Sequence, residues 1–234
     1  MHDLIEISNE FGTIKYFKND EEMLKQVGPN LFFEQDYVVF FLKDFIEKSQ
    51  VILDVGAHCG SHTLMYKSIN PDCTVHSFEP QSKVFDLLQK NVKSNNLTNV
   101  YCYNNAVGHL NRQVEMDPYS TDGENNYRRI SYGTDSVFNI AGVQVGAGGE
   151  SVEMITIDSL DLDRCDFIKI DVEGYEPLVI EGAVETIKKF RPAISYESNI
   201  KKSPEAKRTS QQMLIRLGYS CMPVWGDNWV AISI

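Results

Sequence analysis

Val51-Ile-Leu-Asp-Val-Gly-Ala-His-Cys-Gly60, with Phe78-Glu79-Pro80 beyond it, decides the fold of this 234-residue chain. It reads as an apolar strand, a glycine-containing turn, a helix, a second strand and then a carboxylate. That order is the nucleotide-binding half of a doubly wound sheet, in which the acidic residue about 20 positions on grips ribose hydroxyls. A dinucleotide site needs a second glycine so that backbone can approach a pyrophosphate, but Ala57-His58-Cys59 stands there. Asp54 at the strand end would also sit badly against phosphates. S-adenosylmethionine (SAM) has an adenosine to hold and no phosphate, and it carries a sulfonium and an ammonium. The expected cofactor is therefore SAM, with Asp54, Gly56, His58, Gly60 and Glu79 around it.

Composition narrows the class. At this length one α/β domain with a modest extension is expected. Hydrophobic residues make up 42% of the chain, and no apolar run reaches the roughly 20 residues that span a bilayer. The acidic start, Met1-His-Asp-Leu-Ile-Glu, lacks the layout of a signal peptide. The chain could equally be one module of a longer protein. A net charge of -11 argues against a nucleic-acid partner, because phosphate contacts dominate such affinity. The basic pairs Arg128-Arg129, Lys188-Lys189 and Lys201-Lys202 read as solvated faces. Five scattered cysteines without CxxC spacing fit free thiols in a reducing, cytoplasmic compartment.

Working outward, residues 1–48 read as an N-terminal extension or cap, and 49–234 as the core. The cap holds a strand pair, Leu4–Ser8 and Thr13–Phe17, and a short acidic helix. It closes with an amphipathic helix over 33–49 carrying Phe33, Tyr37, Phe40, Phe41 and Phe45 on one face. Core strands are expected at 50–54, 74–78, 99–104, 153–157, 166–170 and 192–197. Helices are expected at about 60–68, 81–94, 177–190 and 203–217, and a closing hairpin turns at Gly226-Asp227. Residues 116–150 form a polar, glycine-rich insertion with Tyr119, Tyr127, Arg128, Arg129 and Tyr132, which suggests a substrate-facing loop.

The order Asp54-Val-Gly-Ala, Phe78-Glu79-Pro80, Asn105-Ala-Val-Gly108, Thr156-Ile-Asp-Ser159, Ile168-Lys-Ile-Asp-Val-Glu-Gly-Tyr-Glu-Pro and Arg191-Pro192 resembles the FkbM-type methyltransferases. The match runs from about 50 to 197. The resemblance implies a Rossmann-like class I fold, a mostly parallel seven-stranded sheet with a C-terminal antiparallel hairpin. It also implies SAM-dependent O-methylation, typically of hydroxyls on sugars or glycosylated products.

Ligands of such sheets lie at the carboxyl ends of the strands. Asp54, Glu79, Asn105 and Asp171 all end strands in this reading, with Asn105 on the adenine side. Methyl transfer is an in-line displacement on an already activated carbon, so the enzyme must align the acceptor oxygen and remove its proton. Asp171, Glu173 and Glu197 are the expected catalytic carboxylates, with Asp171 also beside the cofactor and His58 and His62 the nearby imidazoles. The same three carboxylates could chelate a divalent cation, although no compact ligand motif demands one. Three other functions compete: a 2'-O-methyltransferase on nucleic acid, a non-catalytic SAM-fold binding module, and a nicotinamide-dependent enzyme.

Overall fold

The structure, a computed structural model, describes residues 4–18, 20–28, 31–118, 142–198 and 204–234. The centre of the expected substrate loop, residues 119–141, lies outside them, as do the pairs Arg128-Arg129 and Lys201-Lys202. No described helix is long and apolar enough to cross a membrane.

Strands β1 (Leu4–Asn9) and β2 (Gly12–Phe17) pair antiparallel, burying Ile14, Tyr16 and Phe17. Helix α1 (Glu21–Gln26) starts at Asp20, whose carboxylate accepts the Met23 N–H at 3.3 Å. The aromatic segment that follows is not one uniform helix. Helix α2 (Gln35–Tyr37) passes through a π-helical turn, Val38–Leu42, into α3 (Lys43–Lys48). The wider turn shifts the buried register to Tyr37, Val38, Leu42 and Ile46. Phe40, expected on the apolar face, is 71% exposed.

The first half of the sheet follows the expected alternation: β3 (Val51–Val55), α4 (Ser61–Ile69), β4 (Thr74–Phe78), α5 (Ser82–Ser94) and β5 (Val100–Tyr103). Strands covered on both faces need apolar residues throughout, and Ile52, Leu53, Val55, Val75 and Phe78 are all buried. Each such side chain contributes about 1.5–3 kcal/mol. Helix α5 has a second task. Its Asn91 exchanges two hydrogen bonds of 2.9 Å with the Lys15 backbone, and Asn95 does the same with Thr13 at 2.8 and 2.6 Å. Two amides thereby satisfy the open edge of β2 and dock the N-terminal hairpin on the core.

Beyond β5 the alternation breaks. The Asn104 amide donates to the carbonyls of Glu79 and Pro80 at 3.0 and 2.9 Å and turns the chain out of the main layer. Strands β6 (Asn105–Val107), β7 (Arg112–Met116), β8 (Val145–Gly146) and β9 (Ser151–Ile155) form a separate sheet in the order β6-β9-β7-β8. The strand expected at 153–157 therefore lies outside the core sheet and starts earlier. It has its own small core of Ala106, Met116, Val143, Val152 and Met154.

The chain then returns through β10 (Phe167–Ile170), α6 (Glu176–Glu181), α7 (Val184–Phe190), β11 (Ala193–Glu197), α8 (Pro204–Arg216), β12 (Tyr219–Trp225) and β13 (Asn228–Ser233). The single helix expected over 177–190 is two helices. Gly182 lies against the Gly108 carbonyl, where a side chain has no room, and the chain bends there. The main sheet has seven strands in the order β12-β13-β11-β10-β3-β4-β5, parallel from β11 through β5. Strand β3 leads to β4 on one side, and β10 lies on the other. The strand order reverses between β3 and β10, which opens a crevice at their carboxyl ends.

Candidate active site

A cavity of about 450 Å³ occupies that crevice. Its floor is backbone brought unusually close. Gly56 has φ +78°, and a Cβ there would overlap the Asp171 carbonyl oxygen. The N–H groups of Gly56 and Ala57 both donate to the Phe78 carbonyl, at 3.0 and 2.9 Å. Gly56 is thus required for the approach of the two loops, and it lines the cavity.

Glu79 stands at one end, 4% exposed. Its two carboxylate oxygens accept the N–H groups of His58 at 3.0 Å and Gln81 at 2.9 Å. Burial raises its pKa to about 7, and those two hydrogen bonds oppose the rise. His58 lines the same end with φ 49°. Burial, then the Lys169 ammonium, lowers its pKa to about 4, with Asp171 opposing. Burial thus disfavours a charge on the imidazole, whose Nε2 lies 3.7 Å from Asp20 Oδ2. Asn105 also lines the cavity, as the first residue of β6 in the smaller sheet rather than the end of a core strand.

Two expected cofactor contacts are displaced. Asp54 is fully buried and does not line the cavity: one oxygen accepts from Thr63 Oγ1 at 2.6 Å, and the other faces Lys169 Nζ at 3.6 Å. It is the penultimate residue of β3, and its side chain points beneath α4. Gly60, at φ +95°, is the N-cap of α4, where a Cβ would lie 2.8 Å from Leu88. It permits helix packing and does not line the cavity.

Lys169 ties the centre together. Its ammonium donates to the Gly56 carbonyl at 2.6 Å and lies 3.2 Å from Asp171 Oδ2. Burial works against the charge, but Asp171, Asp54 and Glu34 outweigh it and raise the pKa well above the usual lysine value. The carboxylates of Asp171, Glu173 and Glu197 converge, each offering an oxygen within 4.8 Å of the others. Glu173 reaches this position in the left-handed region, φ 58°, a strained backbone of the kind that functional sites retain. The loop is held from below by Glu176, whose buried carboxylate accepts the N–H groups of Val172 and Gly174 at 3.3 and 3.0 Å. Burial raises the Glu176 pKa to about 7, with the Gly174 hydrogen bond opposing.

His62 from α4, expected near the catalytic carboxylates, lines the cavity with segments that sequence reasoning did not connect: Phe33 and Glu34 from the N-terminal region, and Trp225 and Asn228 from the closing hairpin. Glu34, another left-handed residue at φ 54°, lies 3.3 Å from His62 Nε2 and accepts from Asn228 Nδ2 at 2.8 Å. No spacing in the chain relates Glu34 to Asn228; only the aromatic segment before β3 hinted at a covering role.

The comparisons agree with this architecture. The family model described as the methyltransferase FkbM domain matches residues 54–220. Methyltransferase 1 of Beauveria bassiana is 24% identical over 146 residues, 56% of this chain and 57% of that protein. The hexuronic acid methyltransferase AglP of Haloferax volcanii is 24% identical over 157 residues, 66% of this chain and 58% of that protein. The chain thus spans little more than half the length of these relatives. The crystal structure of the FkbM methyltransferase from Methylobacillus flagellatus KT superposes with a TM-score of 0.54 at 17% identity, covering 79% of this chain and 43% of that one. Cofactor-bound Rv0187 from MTB gives a TM-score of 0.52 at 14% identity, covering 85% and 79%. The fold is that of the Rossmann-like class I methyltransferases, and the chain belongs to the FkbM methyltransferase family.

Proposed function

We propose that the chain is a SAM-dependent O-methyltransferase acting on a hydroxyl of a carbohydrate or similar polyhydroxylated small molecule. The observation that carries this reading is that one cavity is lined both by a buried carboxylate framed by backbone donors and by a cluster of three carboxylates. At one end a buried carboxylate, Glu79, is framed by backbone donors and suits two vicinal ribose hydroxyls. Gly56, His58 and Asn105 would complete that end, and Asp54 would act from behind by holding Lys169. At the other end Asp171, Glu173 and Glu197 offer acceptors for a hydroxyl-rich molecule, beside the aromatic surfaces of Phe33 and Trp225. The name of the relative AglP supports a sugar acceptor.

SAM supplies the activated methyl group when bound; the chain's own residues must hold the acceptor oxygen in line and exclude water. In this reading residues 1–48 act as a cap, because Phe33 and Glu34 close the cavity opposite the strand ends. Met116, Val143 and Val145, from the described ends of the 116–150 insertion, line the same cavity, which supports a substrate-facing role for it. Free cysteines at 59, 73, 102, 165 and 221 suit a cytoplasmic setting. The test is a mass-spectrometric screen of neutral sugars, amino sugars and uronates with SAM. Mass gain of one methylene on a hydroxyl-bearing acceptor is expected. Methylation only at nitrogen, or only on RNA, would replace the reading.

A further inference from the structure

O-methylation needs a proton acceptor, and the described residues lining the cavity differ sharply in fitness for that task. Lys169 is held protonated by Asp171, Asp54 and Glu34 and has no lone pair to offer. Asp171 is engaged by that ammonium at 3.2 Å. Glu79, with its pKa raised to about 7, is basic enough, but in the proposed reading its oxygens face the ribose hydroxyls as well as the His58 and Gln81 amides. Burial and Lys169 leave His58 a weak base with a pKa of about 4. Glu173 and Glu197 converge with Asp171, each offering an oxygen within 4.8 Å of the others, as acceptors for the substrate hydroxyls.

His62 is different in kind. It lies in the first turn of α4 on the cavity wall, 4% exposed. Its ring is fixed by Tyr66, stacked at 5.9 Å, and by Phe33, edge-on at 6.4 Å. Nε2 faces Glu34 Oε2 at 3.3 Å, and Asn228 locks the other Glu34 oxygen at 2.8 Å. An imidazolium at a helix N-terminus opposes the helix dipole and needs a counter-charge, and Glu34 stands where one is required. Glu34 reaches this position with a left-handed backbone, a strain that surrounding contacts must sustain. The arrangement sets an imidazole 3.3 Å from a carboxylate without a formed hydrogen bond, and a donor holds that carboxylate; the three come from distant parts of the chain.

We infer that His62 is the general base of the methyl transfer, positioned by Glu34 and Asn228. The inference rests on the O-methyltransferase reading. In the step, an electron pair of the acceptor oxygen forms the new carbon–oxygen bond. The methyl–sulfur bond breaks with its pair going to sulfur, which yields S-adenosylhomocysteine (SAH). The hydroxyl proton passes to His62 and from it to solvent.

The experiment compares parent, His62→Gln, His62→Ala and Glu34→Gln, using the acceptor that the sugar screen identifies. Calorimetry measures SAH binding and acceptor binding to the SAH complex; SAH release measures turnover. His62→Gln should bind both ligands within about threefold of parent while turnover falls by roughly 10²–10⁴. Glu34→Gln should lose about 10-fold in turnover with binding preserved, and imidazole added to His62→Ala should restore part of the lost rate. Near-parental turnover in a folded His62→Gln overturns the inference, as does an equal loss of binding and turnover. A parent that binds no SAH overturns the underlying reading and this inference with it.

Discussion

Replacing Lys169 with methionine tests whether the centre of the site is held electrostatically. The ammonium makes three contacts, at 2.6 Å to the Gly56 carbonyl, 3.2 Å to Asp171 and 3.6 Å to Asp54. Asp171 is 27% exposed at its side chain and can be rehydrated, whereas Asp54 is wholly buried and cannot. Its remaining donor is Thr63 Oγ1. Breaking a buried pair by removing one partner costs about 3–5 kcal/mol, most of it from the stranded charge. In a chain of this size each kcal/mol lowers Tm by about 2–4 °C, so Lys169→Met should melt about 6–20 °C below parent. Urea unfolding followed by circular dichroism measures the loss directly. Adding Asp54→Asn removes the stranded charge, and the double variant should recover at least half of it. A loss below about 1 kcal/mol in Lys169→Met, or no recovery in the double variant, would refute the electrostatic account.

The remaining predictions are briefer. Glu79 and Glu176 have folded pKa values of about 7, above an unfolded value near 4.5, so the ligand-free protein binds extra protons in that window. Their contribution is fully present below about pH 4.5 and is lost as pH rises through 7, by at most about 3 kcal/mol each. Melts of Glu79→Gln and Glu176→Gln should each show a flatter decline between pH 5 and 7.5, and parental slopes would refute this. Asp171→Asn should bind SAH as the parent does but lose roughly 10² in turnover through a misplaced acceptor, while EDTA leaves the parent unchanged. Loss of parental activity in EDTA would instead assign a metal to Asp171, Glu173 and Glu197. Gly56→Ala forces a Cβ against the Asp171 carbonyl and should lower both stability and SAH affinity; an undisturbed variant would contradict the close approach of the two loops.

The fold was largely legible because its decisive signals are local. An apolar run, a glycine turn and a carboxylate at a fixed distance specify β3, α4 and Glu79 without reference to the rest of the chain. What could not be read depends on tertiary contact. Asp54 looked like a ligand because it ends a strand, but a single residue decides whether a side chain reaches the rim, and Val55 follows it. The strand at 151–155 alternates polar and apolar residues, as suits a sheet with one exposed face, but its pairing with β6 and β7 in the second sheet depends on where the chain turns out at Asn104. The π-helical turn hides in a run that fits ordinary helical spacing until Phe40 proves exposed. Asp171 and Glu197 were legible as strand-end carboxylates and Glu173 as the carboxylate two residues beyond Asp171, and the structure brings the three together. Glu34 and Asn228 carry no motif, and their meeting beside His62 is a property of the folded chain alone.

The most direct test of the central claim is a calorimetric titration of the purified chain with SAH, repeated on Glu79→Ala. The account predicts micromolar binding by the parent at one site per chain. It predicts a loss of about 10-fold or more in a folded Glu79→Ala, as expected when a charged hydrogen-bond acceptor worth about 1.5–3 kcal/mol is removed. Equal affinity in the two proteins, or tight binding of NAD in place of SAH, would contradict it.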